Sequence, residues 1–199
     1  MTPASRTNTA LLEALFDADS HQAWQELDTR LRGVLVGLAR QVGLNEHDAA
    51  DVAQETLLQF FRDYQARKYD RARGRLRSWI LGIARHRIHD LLRLRAGRRE
   101  NRGDSALLEL PGEEELGSVW DAECRRAVLE RALAELRTET RLDEKTIRAF
   151  ERCALQQRPP AEVAADLELS VDSVYTAKNR CLSHLRVILA RFNALYEIT

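Results

Sequence analysis

Residues 160–186 read PAEVAADLELSVDSVYTAKNRCLSHLR. Pro160 suits the start of a helix, where a missing N–H costs nothing and φ is already helical. Val163, Ala164 and Leu167 share one face of a short helix expected to end at Leu167. After a turn of about three or four residues, Ser170 is placed to cap a last long helix. Val174, Ala177, Cys181, Leu185 and Ile188/Leu189 form the inward stripe of that helix. This is helix-turn-helix grammar: small Ala164 and Ala165 let the two helices approach, and Val174 packs beneath them. In such a motif the second helix enters a major groove with its N-terminal residues at base edges. Its outward residues are Asp172, Ser173, Tyr175, Thr176, Lys178, Asn179 and Arg180, types that hydrogen-bond bases and phosphates. A plain helical hairpin is the bland alternative. Cap, turn and polar face together favour DNA reading.

Working back toward the N-terminus, Asp143 opens a helix with Ile147, Phe150 and Ala154/Leu155 inward, which Pro159 and Pro160 stop. Before it a helix is expected from about Val119 to Arg137, with Trp120, Val128, Leu129, Leu133 and Leu136 inward. Residues 97–118 carry Gly97, Gly103, Pro111, Gly112 and Gly117 with the acidic run Glu113-Glu114-Glu115. No amphipathic period survives there, and a structureless stretch of about twenty residues argues for a linker between two domains. On the N-terminal side Ser20 is expected to cap a helix with Trp24, Leu27, Leu31, Val34/Leu35 and Leu38 inward, closed by Gly43. Asn45 caps the next, with Asp48 in its first turn and Ala49, Val52/Ala53, Leu57, Phe60/Phe61 and Tyr64 inward. Residues 66–77 read as a basic loop. Ser78 is expected to cap a helix with Ile80, Ala84, Ile88 and Leu91/Leu92 inward. Leu11, Leu12, Leu15 and Phe16 suggest a short extra helix within residues 1–19. No strand run or internal repeat is present, so the predicted class is all-α: two small helical domains, 20–96 and 119–199, joined by a flexible acidic linker.

The 199 residues carry 31 Lys+Arg and 31 Asp+Glu, and 44% are hydrophobic. That is enough apolar material for packed cores, and only 9 Gly and 4 Pro favour long helices. No run of about 18 apolar residues could span a membrane. Met1 to Thr9 lack an apolar signal core. Cys124, Cys153 and Cys181 are too widely spaced for a disulfide framework or a CxxC zinc site. These features fit a cytoplasmic location without membrane insertion. A formal net charge of +0 at first argues against nucleic acid. Resolved along the chain, it is +1 over residues 1–8, −6 over 9–61, +10 over 62–102, −7 over 103–123 and +2 over 124–199. A concentrated basic block is the footprint of a polyanion-binding surface, although such blocks are often only solvated faces.

Within that block, Tyr64, Tyr69 and Trp79 interleave with Arg73, Arg75, Arg77, Arg85 and Arg93. Aromatic rings that stack on bases beside arginines that hold phosphates suit single-stranded nucleic acid. Trp79 is equally readable as a core anchor. His86 and His89 lie at i, i+3, but no further ligands at metal-binding spacing accompany them, and surface histidines are the better reading. DAADVAQETLLQFFR (48–62) places Asp51, Gln54, Glu55 and Thr56 on the polar side of a helix, which could bind a partner or simply face water. There is no GxGxxG, GK[ST], GxSxG or HExxH. No enzyme, cofactor or metal is expected.

DAADVAQETLLQFFR, RLRSWILGIARHRIHDLLR, the acidic linker and PAEVAADLELSVDSVYTAKNRCLSHLR, in that order, resemble the RNA polymerase sigma-70 family. More narrowly they resemble its extracytoplasmic-function (ECF) subgroup, and the RSW and SVxxVYxAKxR phrases look like the planctomycete-type set. The likeness covers about residues 20–190. It implies a transcription factor with region 2 over 20–96 and region 4 over 119–199. Asp51, Gln54 and Glu55 match the part that docks on the β′ clamp helices of core RNA polymerase, while region 4 meets the β flap. Arg73, Arg75, Arg77, Trp79, Arg85, His86, His89 and Arg93 match the region that melts and captures the single-stranded −10 element. Ser173, Tyr175, Thr176, Lys178, Asn179 and Arg180 match the helix that reads the duplex −35 element. The family often has Asn where His86 stands and a basic residue at Tyr175 and Ala177, which bears on promoter sequence. It also commonly uses an anti-sigma factor as partner. Two rivals predict different behaviour. A helix-turn-helix regulator acting without polymerase would not need the 48–93 block, and a helical interaction adaptor would direct no transcription.

Overall fold

The computed structural model describes residues 8–16, 21–100, 111–138 and 141–196. The fold is all-α, and no strand occurs among the described residues. The helices are α1 (Asn8–Ala14), α2 (His21–Gln41), α3 (Glu46–Gln65), α4 (Leu76–Glu100), α5 (Glu113–Thr138), α6 (Glu144–Phe150), α7 (Pro160–Leu167) and α8 (Val171–Tyr196). A 3-10 turn, Arg71–Arg73, precedes α4, and a π-helical turn, Glu151–Leu155, extends α6. The chain divides into two compact units, the second being Val128–Ala194, with the boundary inside α5.

In the first unit the expected apolar faces are buried. Leu27, Leu31, Val34, Leu35 and Leu38 of α2 share one core with Ala53, Leu57, Phe60 and Tyr64 of α3 and with Leu76, Ile80 and Ala84 of α4. A smaller cluster joins Ala39, Leu44, Ala49, Val52, Ile88 and Leu92. Between α2 and α3 the chain turns at Gly43, whose φ of 89° lies in the region that favours glycine. Asn45 caps α3 by accepting from the Asp48 N–H at 3.0 Å, and Asp48 is held in turn by Arg95 of α4. Leu11 and Leu15 are fully buried in the main core, so the N-terminal helix is part of the unit. Ser20 lies outside the described residues.

Several local expectations need correction. Ser78 is the third residue of α4, which starts at Leu76 because Leu76 is fully buried and anchors the first turn. Parts of the stretch read as linker are helical: α4 runs to Glu100, and α5 begins at Glu113. The Glu113-Glu114-Glu115 run is the first turn of α5, where carboxylates meet the positive end of the helix dipole. One helical turn apart, Leu116 and Trp120 are 1% and 2% exposed, both within the core of the first unit. Glu123 is also buried, and its carboxylate lies against Gly37 of α2, where a Cβ would overlap it. Arg126 pairs with that carboxylate, Nε lying 2.8 Å away.

The second unit packs Ala149, Val163, Ala164, Leu167, Val174 and Ala177 together. Ala164 is the close-approach residue, whereas Ala165 is exposed. Of the inward set expected on α5, Val128 and Leu136 are buried but Leu129 is 43% exposed, and Ala132 takes an inward place instead. The α5 stripe follows the i, i+4 series 128, 132, 136, which rotates 129 outward.

Because Trp120 fills the core of the first unit, Trp120→Ala should cost about 3–5 kcal/mol of its stability. Urea unfolding followed by far-ultraviolet circular dichroism measures this. A loss below about 1 kcal/mol would mean that the indole contributes little to the core.

Candidate nucleic-acid interface

The phase of α3 is fixed by its buried side, so Asp51, Gln54 and Glu55 are all exposed. Thr56, grouped with them by sequence, is instead fully buried, because it lies next to Leu57 on the inward side. Leu58, 41% exposed, continues the stripe from Asp51 through Gln54 and Glu55. Sequence reasoning passes over it because the Leu57-Leu58 pair gives no sign of which leucine faces the core. His47 lies 3.6 Å from Asp51 at one end of this stripe.

The chain from α3 to α4 brings aromatic and basic groups together. Asp70 caps the 3-10 turn by accepting from the Ala72 N–H at 2.9 Å. Tyr69 stacks on Trp79 with ring centroids 5.3 Å apart, and Phe60 meets Trp79 edge-on at 5.5 Å. The Tyr69 hydroxyl donates to the Gly74 carbonyl at 3.2 Å. Tyr64 is buried between Phe16 and Phe60, and its hydroxyl donates to the Leu12 carbonyl at 3.1 Å. Burial pushes this phenol up to about 12. The three aromatics therefore differ: Tyr64 belongs to the core, while Tyr69 and Trp79 form a half-buried stacked pair. Trp79 anchors the core and reaches the surface at once.

Around the pair the basic residues divide into two sets. Arg73, Arg75, His86, His89 and Arg93 are exposed, the last three along one stripe of α4. Arg77 and Arg85 are engaged by α5: Arg77 donates to the Gly117 carbonyl at 2.7 Å and pairs with Asp121 at 3.0 Å, and Arg85 pairs with Glu113 at 2.9 Å. Among the described residues no cluster of His, Cys, Asp and Glu could hold a metal.

In the second unit, α7 ends at Glu168 in the left-handed conformation (φ 51°), and the Leu169 N–H reaches back to the Ala164 carbonyl at 2.9 Å. Ser170 Oγ then accepts from the Ser173 N–H at 3.1 Å, capping α8. Ser173, Tyr175, Thr176, Asn179 and Arg180 are exposed and Lys178 is half-buried. A shallow recess beside the start of α8 is lined by Asp143, Lys145, Thr146, Ser173, Thr176 and Arg180. Asp143 caps α6, accepting from the Thr146 N–H at 2.8 Å and from its hydroxyl at 2.7 Å. The side-chain hydrogen bond from Thr146 holds the Asp143 carboxyl below its ordinary value.

With this geometry, similarity to known proteins becomes informative. Residues 27–99, spanning most of α2, all of α3 and nearly all of α4, match sigma-70 region 2. The ECF RNA polymerase sigma factor SigE of Mycolicibacterium smegmatis (strain ATCC 700084 / mc(2)155) is 25% identical over 189 residues, covering 94% of this chain and 70% of that protein. Residues 27–99 thus carry the sigma-70 region 2 pattern, and the chain is similar over most of its length to an ECF sigma factor. The solved structure of CnrH in complex with the cytosolic domain of CnrY is 21% identical, covering 92% of this chain and 96% of that one, with a TM-score of 0.36. The region 2 match contains both the acidic stripe of α3 and the basic face of α4.

The Asp143 cap is an acid-sensitive element of the second unit. Its folded carboxyl is depressed, so its contribution is present above the unfolded value of about 4 and is lost as pH falls through the folded value. Asp143→Ala should cost about 1 kcal/mol at neutral pH, and the gap to wild type should close on acidification. Thermal unfolding at a series of pH values tests this; a gap independent of pH would contradict the cap.

Proposed function

We propose that this sigma factor docks on core RNA polymerase through α3, captures the non-template strand of a −10 element along α4, and reads a −35 element with α8. The observation that carries the reading is the coexistence, inside one region 2 match, of an exposed Asp51–Gln54–Glu55–Leu58 stripe and a separate basic, aromatic face. The first suits a protein partner, with an apolar side chain among charges. The second suits unpaired DNA.

On this reading residues 20–96 work as region 2 and 119–199 as region 4, with the start of α5 packed in the first unit and the second unit beginning at Val128. Free polymerase binds DNA mainly through charge. The sigma factor adds two readers, one for duplex and one for unpaired bases. Capturing an unstacked base beside Tyr69 and Trp79 offsets part of an unstacking cost of a few kcal/mol. Melting is thus selective for sequences whose open form fits the face. In α8, Ser173, Thr176 and Asn179 are suited to base edges and Lys178 and Arg180 to phosphates. The β′ clamp helices and the β flap are the expected polymerase contacts, and an anti-sigma factor is a further partner, both on the family resemblance. No described helix is long and apolar enough to cross a membrane.

The test is run-off transcription from genomic fragments by bacterial core polymerase with and without this protein. Promoter-specific transcripts and a stable complex with core are expected; absence of both would overturn the proposal. For α8, Lys178→Ala with Arg180→Ala should weaken binding to a −35 duplex and reduce the dependence of log K on log salt by about two. An unchanged slope would exclude phosphate contact there.

A further inference from the structure

We propose that the first half of α5 is an internal cover for the DNA-facing side of region 2, and that single-stranded DNA and α5 compete for Arg77 and Arg85. The inference rests on the reading of α4 as the single-strand surface, and goes beyond it by naming what occupies that surface before DNA arrives.

Two of the arginines assigned to the strand are already satisfied. Arg85 faces Glu113, and Arg77 faces Asp121 and the Gly117 carbonyl. Both acids stand on one helix, about two turns and roughly 12 Å apart along its axis. A carboxylate offers the guanidinium the same kind of acceptor that a phosphate does. The helix is held in place by apolar groups: Leu116 and Trp120 are buried in the core that also contains Leu76, Ile80 and Ala84 of α4. Glu123 locks its position from the other side, seated where Gly37 leaves room.

The cover is weak at its charged edge. Glu113 is 85% exposed and Asp121 46%, and pairs so open to water contribute little each. A strand presenting several phosphates, already attracted by Arg73, Arg75 and Arg93, can exchange with two such carboxylates. The pairs therefore set a threshold that a short or poorly matched strand fails to cross. Screening by salt lowers the threshold.

The experiment uses the full chain without polymerase and a fluorescein-labelled oligothymidine of about twelve nucleotides, followed by anisotropy. Glu113→Gln with Asp121→Asn should bind roughly three- to tenfold tighter than wild type, the size of two exposed ion pairs. The difference should shrink as salt rises. Glu114→Gln with Glu115→Gln removes the same charge from acids outside these two pairs, and should change affinity by less than about twofold. Gly37→Ala, which alters no charge but displaces Glu123, should also tighten binding. If the Glu113/Asp121 variant equals wild type while Arg77→Ala with Arg85→Ala weakens binding, the cover is wrong and the single-strand reading stands. If both pairs of acid substitutions tighten binding equally, general repulsion is the cause and the cover is again wrong. If the oligonucleotide binds none of the proteins, the single-strand reading itself fails and the cover falls with it.

Discussion

The apolar core shared by α2, α3 and α4 decides the direction of every charged group on those helices. Once Ala53, Leu57, Phe60 and Tyr64 are committed inward with Leu31 and Leu35, the helical period leaves Asp51, Gln54, Glu55 and Leu58 no choice but solvent. In the same way, burying Ile80, Ala84 and Ile88 presents His86, His89 and Arg93 along the opposite side of α4. Two surface faces of opposite sign thus arise from one packing requirement. Neither needs its own scaffold, and neither can be rotated without opening the core.

Charge order then acts on top of packing. A protein with no net charge holds a +10 segment between acidic ones, and the acidic residues do not merely balance the total. Glu113 and Asp121 lie against Arg85 and Arg77. Neutrality is partly local, built into pairs on the surface of the first unit. This is why the total is a poor guide to partners: it hides where each sign of charge lies.

Much of this is legible in the sequence because helices announce their ends and their phase. Asn45, Asp143 and Ser170 cap as their positions suggest, Pro160 starts α7, and Gly43 takes the positive φ of the turn after α2. What stays hidden depends on partners distant in sequence. The Glu113-Glu114-Glu115 run reads as linker because its surroundings are low in apolar residues, and only the burial of Leu116 and Trp120 in the core of the first unit makes it a first turn. Glu123 reads as surface on any hydropathy scale; its burial requires Gly37, far earlier in the chain, to lack a side chain. Arg77 and Arg85 read as free for DNA, since no local pattern reveals an acid on a later helix.

Under the proposed function, α8 illustrates how stability and recognition compete at one place. A helix N-terminus attracts anions, and α8 spends that advantage on Asp172 in its first turn. The carboxylate stabilises the helix, and it also repels a phosphate that would otherwise settle there. Under the proposed function, backbone attraction must then come from Lys178 and Arg180, further along the helix, while neutral Ser173 and Thr176 lie between. Charge is displaced from the residues that would meet base edges first. On that reading such a helix gains little from non-specific duplex and depends on matched bases and on a partner to hold it in the groove.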